Sequence, residues 1–213
     1  MRNDTPGPEY GMRQVNRILL ALCIIGSFPV LPSSAAGGGA AKPAYMPLGE
    51  PMLPPFSFIR FCVRKPLRCP LSKETRKIPL QPENRKILEK VQRNVNHQLG
   101  AGLERWDDGV TRTDCTDYAL TKRSRLLDMG YPPSALLIAI AFVPDGEAHL
   151  LLVVVTDRGD FVLDNLRPTV TRWDELPYRW VMRSTPQDPR LWRSILPLYT
   201  GPGFEKLEIG RCS

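Results

Sequence analysis

Apolar residues recur at helical spacing in two segments of the chain. Over residues 82–99 they stand three or four positions apart, which predicts a helix ended by Gly100. These residues are Ile87, Leu88, Val91, Val95 and Leu99. A second helix is predicted over about 115–129, with Asp114 as its N-cap and Gly130 at its C-terminal end.

Three strand-like runs follow the helices and are joined by the tight-turn sequences PDGE and DRGD. The runs cover residues 135–143, 149–156 and 161–165. Because both connections are short, neighbouring runs should pair as an antiparallel meander. The middle run is so apolar that we expect it to be covered on both faces of the sheet. Helices followed by antiparallel strands predict an α+β fold.

The N-terminal third of the chain is rich in proline and contains one apolar run, residues 18–30. Two arginines precede this run and small residues follow it, as is typical of a signal peptide. The run is shorter than a membrane span, although an uncleaved anchor is the alternative. We therefore predict a signal peptide over 1–36, a flexible Pro/Gly-rich leader over 37–59 and one domain over 60–213.

The chain is basic, with a formal net charge of +7. Such a surplus could favour nucleic acid, anionic envelope polymers or an acidic protein partner. The sequence contains no recognisable nucleic-acid module, and an exported protein rarely meets cytosolic nucleic acid. We therefore interpret the surplus as a generally basic surface. We expect no nucleic-acid partner and no stable membrane span.

The expected pairing of the cysteines follows from the prediction that the protein is exported. Cys23 would leave with the signal peptide, and the four remaining cysteines allow three complete pairings. The short spacing in FCVRKPLRC favours a local disulfide between Cys62 and Cys69. A zinc site is a poor alternative, because the chain has no C-x-x-C motif and only two histidines.

Cys115 is the main candidate for chemistry. The first turn of a helix stabilises a thiolate, because its backbone amides lack partners and the helix dipole favours an anion. A histidine oriented by a carboxylate can take the thiol proton, and His149 and Asp164 supply these residue types. Each residue also has a plain structural interpretation: a buried thiol, a core histidine and a strand-end aspartate.

The spacing relates His149 to Asp164 only in part. A tight turn about residues 158–159 would place Asp164 opposite Val153 in the neighbouring strand. His149 and Asp164 would then share one face of the sheet but lie staggered along it. A wider loop or a bulge would bring them closer, so the spacing alone does not predict contact.

Asp114 and Asp117 flank the candidate nucleophile. Two carboxylates would raise the pKa of a thiol between them unless a cation neutralised them, and Lys122, Arg123 or a bound metal would serve. The two aspartates alone provide too few ligands for a calcium site, because Ca²⁺ takes six to eight oxygen ligands. Thr116 and backbone carbonyls could add ligands.

Three segments together resemble the bacterial transglutaminase-like cysteine peptidases. They are FCVRKPLRC, TDCTDYALTKRSRLLDMGYPPSALLIAIAF and AHLLLVVVTDRGDFVLDNLRPTVTRWDELPYRWVMRS, and the resemblance covers about residues 61–192. It implies a papain-like or transglutaminase-like fold, with N-terminal helices packed on an antiparallel β-sheet. It also implies a Cys-His-Asp triad, which falls on Cys115, His149 and Asp164.

The resemblance carries expectations about location and partners. Family members with known roles are periplasmic, and the best-understood ones cleave a large surface adhesin and so release cells from biofilm. Those members need calcium bound beside the cysteine, a site that would fall on Asp114 and Asp117. The expected partners are therefore a protein substrate in the cell envelope, such as a surface adhesin, and an inner-membrane regulatory protein.

Three departures from the family pattern bear on these expectations. The family motif resembles Gly-Asp-Cys-Glu-Asp-Tyr-Ala, but here Thr113 replaces the glycine and Thr116 replaces the glutamate. Loss of that carboxylate removes one expected calcium ligand, while Asp114 and Asp117 remain as candidate ligands. We expect no cofactor to be required for the chemistry itself. The segment before Cys115 is also shorter than usual, which would reshape one wall of the substrate cleft.

We therefore expect an exported, periplasmic cysteine peptidase that hydrolyses a peptide bond through a thioacyl-enzyme. Acyl transfer to an amine shares that intermediate and is one alternative. A catalytically inactive protein-binding module of the same fold is another; Thr113 and Thr116 motivate it, and the intact triad opposes it. A mainly structural, disulfide-stapled envelope protein is the least favoured.

Overall fold

The computed structural model describes residues 44–101 and 114–201, all within the compact unit Ala40–Ser213. The predicted signal peptide, 1–36, lies outside the described residues. The helices are α1 (Phe56–Arg64), α2 (Pro82–Ala101) and α3 (Cys115–Asp128). The strands are β1 (Leu48–Met52), β2 (Leu136–Phe142), β3 (Ala148–Thr156), β4 (Gly159–Leu163), β5 (Thr171–Arg172), β6 (Arg179–Ser184) and β7 (Trp192–Ile195).

The seven strands form one antiparallel sheet in the order β1-β7-β6-β2-β3-β4-β5. The three helices pack with this sheet, and α3 contacts both β3 and α2. The central strands β2 and β3 are buried almost throughout, so polar residues do not alternate with apolar ones along them. The predicted α+β fold is confirmed.

The predicted helices and central strands agree with the structure to within two residues at each end, with helix α2 continuing past Gly100 to Ala101. Helix α3 ends at Met129 as its C-cap, and Gly130 follows with a φ of +85°. A left-handed glycine after the last turn is a common helix terminator, because a side chain is disfavoured there.

The predicted flexible leader, 37–59, is wrong for residues 44–59, which belong to the fold. Strand β1 pairs with β7, and helix α1 begins directly after Pro55. Prolines suggested irregular structure, but Pro51 stands in an edge strand, where a missing N–H is tolerated. Gly49 lets β1 approach its neighbour closely, since a Cβ there would lie 2.4 Å from Ser194 Oγ.

The turn between β3 and β4 differs from the predicted one. Thr156 pairs with Gly159, so the two-residue turn is Asp157–Arg158. Thr156 Oγ1 donates to the Gly159 carbonyl at 2.7 Å and accepts from Arg158 N at 3.1 Å. Gly159 has a φ of +124°, and a Cβ there would meet a backbone oxygen at 2.4 Å. The resulting register places Asp164 opposite Leu151 rather than Val153, closer to His149.

Cys62 and Cys69 form the predicted disulfide, with a Cα–Cα distance of 5.5 Å. Both residues are buried, so the bond ties the end of α1 to the following turn beneath the surface. None of the helices in residues 44–101 and 114–201 is both long and apolar enough to cross a membrane.

Candidate active site

Cys115 is the first residue of helix α3 and is 1% exposed. The helix start is defined by a capping box, in which Asp114 accepts from Asp117 N at 3.2 Å and Asp117 accepts from Asp114 N at 3.3 Å. The Cys115 sulfur accepts a hydrogen bond from Leu150 N at 3.3 Å. The Cys115 sulfur is disulfide-bonded in this structure. Once reduced, it would lie where a helix N-terminus and a strand amide both favour negative charge.

His149 and Asp164 are in direct contact. His149 Nε2 lies 2.7 Å from Asp164 Oδ1, and both side chains are almost completely buried. The Asp164 carboxylate also accepts from Leu166 N at 2.9 Å and from the Tyr178 hydroxyl at 2.5 Å. Burial alone would raise the pKa of Asp164, but the hydrogen bonds and the charge of His149 outweigh it and lower the pKa. Asp164 is therefore an anion at neutral pH.

The three predicted residues come together through adjacent positions on β3. His149 directly precedes Leu150, whose amide donates to the Cys115 sulfur. Because Nε2 of His149 is occupied by Asp164, Nδ1 is the ring nitrogen that remains for proton exchange. Strand β3 thus holds the histidine beside the helix terminus that carries the cysteine.

Tyr178 and Asn96 also support the site, and the sequence analysis assigned neither a role. Burial and the hydrogen bond to Asp164 raise the pKa of Tyr178 to about 12, so its hydroxyl stays protonated and donates. Asn96 on α2 donates from Nδ2 to the Asp164 backbone carbonyl at 3.1 Å. Tyr178 stands in the Tyr-Arg-Trp segment of the resemblance, which was the one signal in the sequence.

Lys122 does not neutralise the two aspartates as proposed from the sequence. Its side chain is fully buried, its Nζ has no hydrogen-bond partner within the described residues, and it lies 5.9 Å from the Tyr118 ring centroid. Burial lowers the pKa of Lys122 to about 7, and the negative charge of Asp164 acts in the opposite sense. Arg123 is also committed elsewhere, because it donates to the carbonyls of Leu136 and Arg68.

Lys122→Met is expected to increase the free energy of unfolding by about 1–4 kcal/mol at pH 6, because it removes a buried cation without a hydrogen-bond acceptor. The wild-type amine loses its proton near pH 7 when folded but only near its ordinary value of 10.5 when unfolded. The penalty is therefore complete below pH 7 and fades as the pH rises towards 10.5, so the gain should shrink over that range.

Urea unfolding at pH 6, 7.5 and 9 measures this effect. Lys86→Met, an exposed lysine on α2, is the matched control and should change stability little at any pH. A Lys122→Met protein that is less stable than wild type at all three pH values would show that the ammonium group supports the fold.

The aspartates beside Cys115 do not by themselves form a calcium site. Both carboxylates are engaged in the capping box, and Thr116 supplies no charge between them. Partial burial raises the pKa of Asp117 against the lowering effect of its hydrogen bond from Asp114 N, and the Asp114 charge raises it further. Within residues 44–101 and 114–201, no group of three or more His, Cys, Asp or Glu residues could hold a metal ion. The described residues alone therefore do not supply the six to eight oxygen ligands that Ca²⁺ takes.

A cysteine at a helix N-terminus that contacts a strand carrying a buried histidine–aspartate pair is the arrangement expected of cysteine-dependent enzymes with papain-like or transglutaminase-like architecture. The family described as bacterial transglutaminase-like cysteine proteinase, BTLCP, matches residues 48–198. The chain belongs to this family and has a transglutaminase-like fold. A search of curated proteins found none that matches.

Solved structures similar to the chain include Legionella pneumophila LapG in three preparations. The calcium-bound form has 22% sequence identity and a TM-score of 0.37, and the match covers 49% of this chain and 66% of LapG. The EGTA-treated form has the same identity and TM-score and covers 64% of LapG. The matched part of this chain therefore spans just under two thirds of LapG, and the family assignment rests on the family match alone.

Proposed function

We propose that this protein hydrolyses a peptide bond in a protein of the cell envelope, with a surface adhesin as the expected kind of substrate. Cys115 is the nucleophile, His149 is the general base and then the general acid, and Asp164 orients the imidazole. The hydrogen-bonded arrangement that joins His149 to Asp164 and the Cys115 sulfur to the next residue of β3 is the observation that supports this proposal.

The reaction proceeds in two halves. The Cys115 thiolate attacks the peptide carbonyl carbon after its proton passes to His149, and the tetrahedral intermediate collapses when His149 protonates the leaving amine. Water, deprotonated by His149, then attacks the thioester carbon and releases the acid product with the thiol restored. The backbone N–H of Cys115 is a candidate oxyanion donor, because the first amide of a helix has no intrahelical acceptor.

A cavity of about 890 Å³ is a candidate cleft for the polypeptide substrate, although Cys115, His149 and Asp164 do not line it. Tyr178 links the cavity to these residues, because it lines the cavity and also donates to Asp164. Most of the remaining wall is apolar and aromatic, including Leu176, Trp180 and Leu198. Such a wall favours the apolar side chains of a substrate segment over highly charged ones.

The proposed setting is the periplasm, as expected from the predicted signal peptide and from the family resemblance. A periplasmic enzyme can reach the periplasm-facing segment of a surface protein and a regulatory protein of the inner membrane. The present residues give no reason to require calcium for the chemistry, since all proposed proton and acyl transfers use side chains of the chain itself.

The test is incubation of the protein with isolated envelope proteins, followed by mass spectrometry of new N-termini. We expect a small set of new N-termini that is missing with the Cys115→Ala protein. This variant serves as the matched control because it removes the nucleophile, and circular dichroism establishes that it is folded. A primary amine tracer in the same incubation measures acyl transfer.

Three outcomes separate the candidate functions. New N-termini that depend on Cys115 support hydrolysis, whereas amine incorporation without new N-termini would assign acyl transfer. Stable capture of an envelope protein by wild type and Cys115→Ala alike, with neither product, would overturn the peptidase proposal in favour of a binding module.

A further inference from the structure

The five most exposed large apolar side chains of the described residues all fall between residues 53 and 71. Each is at least 66% exposed: Leu53 (89%), Phe56 (75%), Val63 (75%), Leu67 (90%) and Leu71 (66%). Single exposed apolar residues are ordinary, but a concentration of them in one segment marks an interaction surface. This segment contains α1 and the turn that follows it, and neither belongs to the candidate active site.

Helix α1 has two apolar sides with different roles. Phe58 and Cys62 face inward, and the Phe58 ring packs against Trp192 with its centroid 5.5 Å away. Phe56 and Val63 stand on the exposed side, seven positions apart and therefore close to the same helical direction. The outer residues thus add little to the core, and folding gives no reason for their apolar character.

Cations alternate with these outer apolar residues. Arg60 and Arg64 fall on the same exposed stripe of α1 as Phe56, and the Arg60 guanidinium lies 6.0 Å from the Phe56 ring centroid. Lys65 extends the positive charge into the turn. The sequence from 51 to 73 contains five basic residues and no acidic one.

The positive charges on the stripe are not offset by any acidic side chain of the described residues. In the described part of the chain no ion pair involves Arg60, Arg64 or Lys65, whereas Arg68 is paired with Asp128. The first three charges are therefore available to an anionic partner.

The surface is held in place by buried contacts. The disulfide joins Cys62 to Cys69, and Lys65 N donates to the Phe61 carbonyl at 2.8 Å at the end of the helix. Arg123 donates from inside the protein to the Arg68 carbonyl. Leu67 is thus presented on a fixed turn, so little conformational freedom is lost on binding.

We propose that this cationic apolar surface binds the interface of an anionic phospholipid membrane. The surface consists of Leu53, Phe56, Arg60, Val63, Arg64, Lys65 and Leu67. Apolar side chains on the exposed side of a helix enter the boundary between headgroups and acyl chains, and adjacent lysines and arginines attract anionic headgroups. Side chains that are up to 90% exposed can enter a lipid interface directly. A protein partner would need a matching pocket for them. The inference does not depend on the proposed peptidase function.

The test measures how much of the protein, in the form that cells export, sediments with lipid vesicles. One set of vesicles contains phosphatidylglycerol and phosphatidylcholine, and the other contains phosphatidylcholine alone. We expect binding to the anionic vesicles that weakens at high salt. Two triple variants separate the two contributions: Phe56→Ser with Val63→Ser and Leu67→Ser, and Arg60→Gln with Arg64→Gln and Lys65→Gln. The matched control is Met129→Ser with Leu166→Ser and Leu191→Ser, which removes three exposed apolar side chains elsewhere.

Loss of the apolar side chains should lower the partition coefficient by a factor on the order of 100. Loss of the three charges should lower the partition coefficient by about 10- to 100-fold on anionic vesicles. The variant should then bind anionic and neutral vesicles equally well. The control triple should bind like wild type.

The proposal is overturned if wild type fails to sediment with anionic vesicles, or if the first two variants bind them as wild type does. Binding to an acidic, leucine-containing peptide without any binding to vesicles would also overturn it and would assign the surface to a protein partner. Circular dichroism of each variant establishes that a loss of binding is not a loss of fold.

Discussion

Asp164→Asn is expected to lower kcat/KM by about 10³- to 10⁴-fold while the protein remains folded. The carboxylate accepts from His149, Leu166 N and Tyr178, and an amide of the same size has only one acceptor oxygen for these three donors. The histidine would lose the anion that orients it and stabilises its protonated form. A buried donor left without an acceptor should also reduce stability by about 1–3 kcal/mol.

Asp160→Asn is the matched control for this variant. Asp160 is buried on the same strand, β4, but its carboxylate accepts from Met46 N instead of from a site residue. Both variants therefore replace a buried β4 carboxylate, and only one of them contacts His149. Activity is measured on a peptide that spans the cleavage site found in the envelope experiment. Equal kcat/KM values for the two variants would remove Asp164 from the catalytic group.

Alkylation of Cys115 by iodoacetamide is expected to depend on pH very differently in wild type and in His149→Ala. An ordinary thiol with a pKa of about 8.5 gains roughly 75-fold in thiolate between pH 6 and pH 8, and its labelling rate rises in proportion. A thiolate that is already formed beside a histidine should be labelled at a rate that changes less than about twofold over this range. We expect the second behaviour in wild type and the first in His149→Ala.

The sharpest control comes from the second histidine of the chain. His97 is exposed on α2, so His97→Ala should keep the wild-type profile. The proteins are treated with a thiol reductant and desalted before labelling, and mass spectrometry identifies the modified cysteine. If wild type and both variants all show the steep profile, Cys115 is an ordinary thiol, and the binding-module hypothesis becomes the better explanation of the fold.

The same labelling experiment tests calcium. Because Asp114 and Asp117 offer only two carboxylates, which already accept hydrogen bonds in the capping box, adding Ca²⁺ or EGTA is expected to leave the labelling rate unchanged. A rate that rises with Ca²⁺ and falls with EGTA would require further ligands beyond those two carboxylates, because Ca²⁺ takes six to eight oxygens.

Local patterns were sufficient where local physics decides the structure. The α2 stripe, the start of α3 and the strands of the meander depend on neighbouring residues: apolar spacing, an Asp114 cap and short polar turns. The Cys62–Cys69 bond also follows from a short separation along the chain. The N-terminal segment was predicted wrongly, because β1 exists only by pairing with β7, at least 140 residues away in sequence.

The relation between His149 and Asp164 needed the tertiary structure. Their register depends on the turn at Asp157–Arg158. The Thr156 hydroxyl closes this turn, and the backbone of Ala44 packs against Gly159 at its end. That contact joins residues more than 100 positions apart, so no pattern around the turn could predict it.

The sequence by itself determined the class of fold, the two helices around the site and the residue types that could perform thiol chemistry. Only the tertiary structure decided that Asp164 contacts His149 directly, that Tyr178 donates to the same carboxylate and that Lys122 is fully buried. The physical reason is that a helix or a turn is stabilised mainly by its near neighbours, whereas a buried hydrogen bond between distant residues is formed only when the whole sheet and its helices pack together.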